Sequence, residues 1–415
     1  QGKRKEAQKE VQDFHRHLST VRVLDPACGS GNFLYVTMEH MKRLEGEVLN
    51  LLHDLGVSQA ALMLEGESFA VTPDQFLGIE LNPRAARIAE MVLWIGYLQW
   101  HFRTHGSTNP PEPVLHDYHN IENRDALLDY DAEELVTDEK GKPVTRWDGV
   151  TVKPSPVTGE QVPDEAARTV TYRYVNPRKA AWPAADYIVG NPPFIGNKRM
   201  RSVLGDGYVE AVREVHSDVP SSADFVMYWW HRSAGLVASG GTQRAGLITT
   251  NSITQTFNRA VVQTWLEAKE PASLVFAVPN HPWVDSGDGA AVRIAMTVIE
   301  AGTRDGTLAT VTHESESDDG VALPAFRERT GAIYADLRAG ANLAGAERLR
   351  ATAGMSFMGV TLVGQGFVVE PDDTTLVSEP TSVKKYLVGN ELMQRPKGRH
   401  VIDLFGLSAD DARRQ

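Results

Sequence analysis

Two rhythms of apolar and polar residues alternate along the first hundred positions. A short apolar run at residues 21–24 precedes a glycine-rich turn, and residues 32–52 then carry apolar side chains at helical spacing. The same order returns with the apolar run Phe76–Glu80 and the amphipathic segment 83–100. Strand, turn and helix in succession are typical of doubly wound α/β domains. The pattern therefore predicts a parallel sheet with helices on both faces.

Further short apolar runs bounded by turn residues predict later strands of that sheet. They are residues 187–189, 246–250, 274–278 and 294–299. Residues 221–236 have helical spacing, so their aromatic side chains are expected in the core.

The remaining patterns predict the domain organisation. Residues 1–18 are expected to form an exposed linking helix, and residues 19–355 the central α/β domain. Polar sequence rich in glycine and proline at 129–183 predicts an insertion on the rim of the sheet. Glycine-punctuated strands around 360–369 and 387–392 predict that a second domain begins near 356 and continues to 415.

Composition narrows the class of protein. The 415 residues are 42% hydrophobic and 23% charged, which is ordinary for a globular protein. No run approaches the ~20 apolar residues of a membrane span, and the start lacks a signal peptide, so we expect a cytoplasmic protein. A single cysteine excludes internal disulfides and cysteine-rich zinc sites. The first residue is Gln rather than Met, which suggests a fragment. The net charge of -12 argues against a surface that is basic throughout, as many DNA-binding domains have.

The glycine turn is the first candidate site. Its backbone N–H groups precede a helix, and glycines lack side chains, so a ligand can approach closely. A dinucleotide fingerprint requires a third glycine where Leu34 stands, so that class of cofactor is disfavoured. Asp25 beside the turn and Glu80 at the end of the next strand suit a ligand with an ammonium group and a ribose diol. S-adenosylmethionine is such a ligand.

The segment Asn191, Pro192, Pro193, Phe194 follows a predicted buried strand. An adenine amine is a poor nucleophile because its lone pair is delocalised into the ring. The Asn191 side-chain oxygen and the Pro192 carbonyl could accept hydrogen bonds from both N–H groups of that amine and favour its reactive form. The prolines would fix these acceptors, and Phe194 would stack on an extruded base. A rigid turn with a buried phenylalanine is the alternative interpretation.

In chain order, three of these segments resemble motifs of a known family. Residues 25–33, 78–83 and 191–194 resemble the first, second and fourth motifs of amino-group DNA adenine methyltransferases, and most closely the MmeI-like group of type IIL restriction-modification enzymes. The resemblance extends to 120–126, 223–230, 249–253 and 401–407. It implies a class I, Rossmann-like methyltransferase fold with about seven mostly parallel strands, followed by the start of a target-recognition domain. The family's Thr-Pro segment upstream of the glycine turn is not visible in residues 1–20.

The resemblance also implies roles for individual residues. The target base would be held by Asn191, Pro192, Pro193 and Phe194. Binding of S-adenosylmethionine would involve Asp25, Pro26, Ala27, Cys28, Gly29, Gly31, Asn32, Phe33, Glu80, Leu81, Asp125, Ala126 and Asn191. The basic residues Lys198, Arg199, Arg201, Lys397 and Arg399 are candidates for contacts with DNA phosphates.

The expected function is methylation of adenine N6 in a specific duplex DNA sequence, within a restriction-modification or phage-defence system. No metal site is expected. Asp138–Lys140 has the letters of a nuclease motif but lies in a polar loop. His101 and His105 have helical spacing, but the acidic residue that a zinc protease requires between them is missing. Possible partners are a nuclease domain or other defence proteins, and no association with a membrane is expected.

Two alternative functions stay open. The acceptor could be a protein glutamine amide or an RNA base, or the chain could recognise DNA without catalysis.

Overall fold

The structure is a computed structural model that describes residues 2–58, 61, 69–105, 119–149, 151–155, 161–283, 292–316, 322–340, 367–370, 382–389, 391, 395, 397–405, 408 and 411. The chain folds into two compact units, residues 1–345 and 346–415. The predicted domain boundary near residue 356 lies outside the described residues and stays a prediction.

The first unit is organised around a nine-stranded sheet. The strands are β1 (Val23–Asp25), β2 (Phe76–Glu80), β3 (Ile121–Asn123), β4 (Tyr187–Gly190), β5 (Arg244–Thr250), β6 (Ala272–Trp283), β7 (Val292–Ala301), β8 (Gly306–Glu316) and β9 (Ala322–Gly331). Their order across the sheet is β9-β8-β6-β7-β5-β4-β1-β2-β3. The five strands from β5 to β3 are all parallel, whereas β7 runs antiparallel to both β5 and β6.

The predicted α/β class is confirmed, but the expected number of strands differs from what the structure has. Strands β1, β2 and β4 to β7 fall at the predicted apolar runs, whereas the three-residue strand β3 lies outside them. The antiparallel hairpin β8–β9 adds two more strands beside β6. This hairpin was not anticipated because its outer strand β9 is largely exposed and carries Arg327, Glu328 and Arg329 in place of an apolar run. Charged side chains on an outermost strand oppose pairing with another chain.

Helices cover both faces of the sheet, as predicted. They are α1 (Gly2–Leu18), α2 (Asn32–Asp54), α3 (Pro83–His105), α4 (Asn197–Leu204), α5 (Asp206–Val215), α6 (Val226–Ala238) and α7 (Thr256–Leu266). One buried cluster joins α2 and α3 to β1 and β2 through side chains such as Leu34, Leu93 and Phe76. A second and larger cluster contains the buried aromatic residues of α6, among them Tyr228 and Trp230. The prediction that these aromatics are core is therefore confirmed.

The polar segment 129–183 folds into an antiparallel arm. Its paired strands, from base to tip, are 128–129 with 178–179, 132–135 with 172–175, 145–147 with 168–170, and 152–154 with 161–163. The arm packs on α5, where a Cβ added to Gly207 would lie 1.8 Å from the Tyr172 carbonyl oxygen. Tyr174 of the arm also makes edge contacts with Tyr130 at 4.7 Å and with Tyr208 at 6.0 Å between ring centroids.

The second unit contains a small antiparallel sheet of Val368–Val369, His400–Ile402 and Val383–Lys385, in that order. Of the strand predicted at 360–369, the structure describes residues 367–369, and Val368–Val369 are in a strand. The strand predicted at 387–392 is wrong in the described residues, since the strand there ends at Lys385. Among the described residues of both units, no helix is long and apolar enough to cross a membrane.

Gly78 in β2 provides a test of how closely the sheet packs under the glycine turn. A Cβ added there would lie 2.7 Å from both Cys28 Sγ and Ile121 Cδ1. We expect Gly78→Ala to lower the free energy of unfolding by ~1–3 kcal/mol through overpacking, measured by urea denaturation. Gly246→Ala in β5 is the matched control, because its Cβ would lie 3.7 Å from the nearest atom, Val298 Cγ2. Equal stability of the two variants would contradict this account.

Candidate cofactor and target-base site

The order of the strands brings the predicted site residues to one edge of the sheet. Asp25 ends β1, Glu80 ends β2, and Asn191 directly follows β4. Strand β1 lies between β4 and β2, and all three are parallel, so their carboxyl ends meet at the same edge. Ligands of open α/β sheets bind at this edge.

The carboxylate of Glu80 holds the glycine turn in place. Its Oε2 accepts a hydrogen bond from the Gly29 N–H at 2.9 Å, and its Oε1 accepts one from the Asn82 N–H at 2.7 Å. Gly29 and Gly31 have φ angles of 54° and 83°, a conformation that glycine adopts without strain. No atom lies within 4 Å of a Cβ built on Gly29, so open space faces the turn there.

Asp25 is a buried acid behind this turn, with 1% of its surface exposed. Burial, together with the nearby Glu80 charge, raises the pKa of its carboxyl to about 7, and the hydrogen bond from the Ala27 N–H at 3.0 Å acts in the opposite direction. Burial, with the same two carboxylates, also raises the pKa of the Cys28 thiol. A protonated thiol is a weak nucleophile, so Cys28 is a packing residue of the turn. Pro26 is buried, Ala27 and Phe33 are half-buried, and Asn32 and Leu81 are exposed.

The side-chain oxygen of the half-buried Asn191 has an unusual environment. Its Oδ1 is buried and has no hydrogen-bond partner among the described residues. A buried acceptor without a partner costs about 1–3 kcal/mol, so such atoms are uncommon. Beside it, Pro192 is buried and Pro193 is exposed, while the half-buried Phe194 packs against the larger core cluster. The residues that would hold the target base therefore lie together, with one acceptor unused.

The structure places Asp125 in a turn just past β3. Its Oδ1 accepts hydrogen bonds from the N–H groups of Leu127 and Leu128, and its Oδ2 accepts one from the Tyr208 hydroxyl at 2.7 Å. Three of the roughly four lone-pair positions of a carboxylate are thus occupied. Ala126 beside it is buried.

The five candidate DNA-contacting residues are divided between the two units and differ in their partners. Lys198 and Arg199 are exposed on α4, but Arg201 is paired with Asp206 at 3.0 Å and with Glu210. In the second unit Lys397 is exposed, whereas Arg399 pairs with Glu391 and lies 5.1 Å from the ring centre of Tyr386. The charges of Arg201 and Arg399 are thus already compensated within the chain.

Three residues at the site received no role from the sequence. Trp229 on α6 donates from its indole nitrogen to the Pro26 carbonyl at 3.0 Å, which ties the glycine turn to the core. Tyr208 donates to Asp125, as described above. Asp224 accepts a hydrogen bond from the N–H of Asn197, three residues after Phe194. Trp229 and Asp224 lie within the segment 223–230 that resembles the known family, which was the available signal.

Comparisons with known proteins point to one family. The sequence model of the family described as "MmeI, DNA-methyltransferase domain" matches residues 2–310. DNA methyltransferase A of Bacillus subtilis (strain 168) is 23% identical over 296 residues, which are 69% of this chain and 27% of that protein. A solved structure of the type IIL restriction-modification enzyme MmeI in complex with DNA superimposes with a TM-score of 0.60 at 21% identity, covering 98% of this chain and 48% of that one. The chain thus spans about half, or less, of the length of these relatives.

The raised pKa of Asp25 predicts a pH dependence of folding. A carboxyl whose folded pKa is raised stabilises the fold fully below its unfolded pKa, and this contribution is lost as pH rises through about 7. We expect the wild type to lose roughly 2–3 kcal/mol relative to Asp25→Asn between pH 5 and pH 8, measured by urea unfolding of both proteins. The exposed acid Asp74 provides the control variant Asp74→Asn. Stability curves for Asp25→Asn and wild type that run parallel across this range would show that Asp25 does not titrate there.

Proposed function

The chain belongs to the family of MmeI DNA-methyltransferase domains, and we propose that it transfers a methyl group from S-adenosylmethionine to the N6 amine of an adenine in duplex DNA. The observation that carries this proposal is the buried, unpaired Oδ1 of Asn191 at the carboxyl end of β4. An acceptor held out of water without a partner is suited to a donor that arrives with a ligand. The exocyclic amine of a flipped adenine is such a donor.

The chain's own residues would make that amine reactive. Asn191 Oδ1 and the Pro192 carbonyl would each accept one of its N–H groups, which favours a lone pair localised on nitrogen. The two prolines restrict the backbone, so the acceptors are aimed before the base arrives. Phe194, which packs on the core along one side, would support the base by stacking, a contact worth ~1–3 kcal/mol.

S-adenosylmethionine, when bound, supplies a methyl group on a positively charged sulfur. The open space facing Gly29 and the acids around it fit this ligand. Asp25 would attract the ammonium group. Because the pKa of its carboxyl is raised to about 7, this attraction would be stronger above pH 7, where the carboxyl is ionised. Glu80 uses one position on each oxygen for backbone N–H groups, so a second position on each remains for the two ribose hydroxyls.

The order of the strands supports a direction for the cofactor. The target-base residues follow β4, the glycine turn follows β1, Glu80 ends β2 and Asp125 follows β3, and these strands are neighbours in that order. A cofactor laid across them would place its methyl group near β4 and its ribose at β2. Its adenine would then lie near β3, where Asp125 has one lone-pair position left for the amine.

DNA is the substrate class that the comparisons favour over the alternatives. The B. subtilis relative is a DNA methyltransferase and MmeI was solved with DNA, whereas a glutamine amide or an RNA base has no such support. Because the net charge is acidic, we propose that other parts of the full-length protein supply most of the contacts with DNA phosphates. Lys198 and Arg199 would add two contacts beside the target-base residues. We propose that the protein acts in a restriction-modification or phage-defence system, together with a nuclease.

Asn191→Ala tests the chemistry separately from binding. In cells that lack other adenine methylation, wild-type protein expressed from its complete coding sequence should produce N6-methyladenine at one DNA motif, read by long-read sequencing. The variant should produce none, because it lacks the acceptor, while its cofactor affinity should be largely unchanged. Methyl transfer above about a tenth of wild type by the variant would overturn the mechanism. Wild-type transfer of labelled methyl groups to protein or RNA, but not to DNA, would favour the alternative acceptors.

Glu80→Ala tests the cofactor site. Loss of its bonds to the ribose hydroxyls should weaken binding of S-adenosylmethionine by ~1–3 kcal/mol, measured by calorimetry. Glu80→Gln, which keeps acceptors for the Gly29 and Asn82 N–H groups only in part, should lie between wild type and the alanine variant. The control is Glu122→Ala, since Glu122 also lies on a strand of this sheet but pairs with Arg124. Unchanged affinity in both Glu80 variants would remove Glu80 from the site.

A further inference from the structure

The target-base loop, residues 191–196, is fixed at its far end by a carboxylate from another segment. Strand β4 holds the loop's first end, and the helix α4 begins at Asn197. Asp224 Oδ1 accepts a hydrogen bond from the Asn197 N–H at 2.9 Å. We propose that Asp224 is a positioning residue that aims Asn191 and Phe194 at the target base. This inference rests on the function proposed above.

Asn197 is held on two sides. Its N–H binds Asp224, and its side-chain oxygen accepts a hydrogen bond from Arg213 Nη2 at 2.9 Å. The Phe225 N–H, next to Asp224 in the chain, binds the Ile195 carbonyl at 2.9 Å. Residues 195 and 197 are therefore both hydrogen-bonded to the segment before α6. Residues 191–194 lie between these bonds and the end of β4, so both ends determine their position.

The other oxygen of Asp224 joins this loop to the neighbouring strand end. Its Oδ2 accepts hydrogen bonds from the Ser252 hydroxyl at 2.7 Å and from Asn258 Nδ2 at 2.8 Å. Asn258, which is 4% exposed, accepts the Asp224 N–H in return at 2.8 Å. Ser252 lies in the short turn Asn251–Thr254 that follows β5, the parallel neighbour of β4. The Asp224 carboxylate thus connects the target-base loop to the turn after β5, and both lie at the same edge of the sheet.

This arrangement matters for the chemistry because the acceptors must be aimed before the base arrives. Asn191 Oδ1 has no protein partner of its own among the described residues, so its position depends on the loop backbone. A displacement of about 1 Å in a reacting geometry can lower a rate about 100-fold. Without Asp224, the N–H of Asn197 and the hydroxyl of Ser252 lose their acceptor, and the loop is free to shift. In this proposal Asp224 acts through Asn197 rather than by contact with substrate or cofactor.

The test compares Asp224→Ala with Asp218→Ala in the complete protein. Asp218 is also a carboxylate in the segment before α6, but it binds His231 at 2.8 Å and Lys179 at 3.3 Å, and neither is a loop residue. We expect Asp224→Ala to lower kcat for DNA methylation 10- to 100-fold, with the Kd of S-adenosylmethionine changed less than about 2-fold. Asp218→Ala should lose comparable thermal stability but keep kcat within about 3-fold of wild type. Equal kcat values in the two variants would overturn the proposal.

A rescue experiment covers the case in which Asp224→Ala does not fold. Asp224→Asn keeps an acceptor for the Asn197 N–H but turns an amide toward Asn258, so two donors face each other. Exchanging the pair, with Asp224→Asn and Asn258→Asp together, restores a donor and an acceptor between the two positions. It removes the Asn258 Nδ2 bond to the Ser252 carbonyl, so the recovery is partial. We expect the single variant to lose kcat and the double variant to recover at least about 5-fold of it. A double variant no better than the single one would count against the positioning role.

A spectroscopic readout separates this inference from the proposed function. With 4-fluorophenylalanine at position 194, the fluorine resonance should shift or broaden in Asp224→Asn and stay unchanged in Asp218→Ala. An unchanged resonance in Asp224→Asn overturns the positioning role whether or not the protein methylates DNA. A resonance change in Asp224→Asn, combined with wild-type protein that transfers no methyl group, contradicts the proposed function alone.

Discussion

The hydrogen bond between the Gly29 N–H and the Glu80 carboxylate is the interaction on which the site depends. It joins the turn after β1 to the end of β2, so the two walls of the proposed cofactor site are one unit. The same carboxylate brings a negative charge close to the buried Asp25, which contributes to the raised pKa of Asp25. Geometry and charge at this edge of the sheet therefore cannot be changed independently.

Close packing beneath this edge explains why small residues recur there. Gly31 begins the turn into α2 against Ala89 of α3, with 3.0 Å between Ala89 and an added Cβ. Gly190 ends β4 with Asp25 Oδ1 at 2.9 Å from the corresponding position. A side chain at either glycine would move the acid or the turn, so the walls of the proposed cofactor site are set by the backbone more than by side chains.

Much of the core could be predicted from sequence, and the reasons for the failures are physical. Apolar runs identified β1, β2 and β4 to β7 because buried strands need them. The three-residue strand β3 was missed, and β8–β9 and the arm have exposed strands with polar residues. The chemistry of Asp25, Glu80 and Asn191 could be argued from residue type and position after a strand. The partners of Trp229 and Tyr208 could not, because they lie 203 and 83 residues away in the chain. The prediction also left open that Arg201 and Arg399 have internal partners.

The arm 129–183 is fixed unevenly along its length, and this has a consequence for sequence divergence. At its base, Tyr172 presses on Gly207, and Tyr174 contacts Tyr208, whose hydroxyl holds Asp125. At its tip, the strands Val152–Pro154 and Gln161–Pro163 are mostly exposed. Insertions, deletions and charge changes in these exposed strands disturb fewer packed contacts than changes at the base, so we expect the tip of the arm to diverge more easily. At the base, the same changes alter the contacts of Asp125, an acid of the proposed cofactor site, so we expect the base of the arm and that site to diverge together.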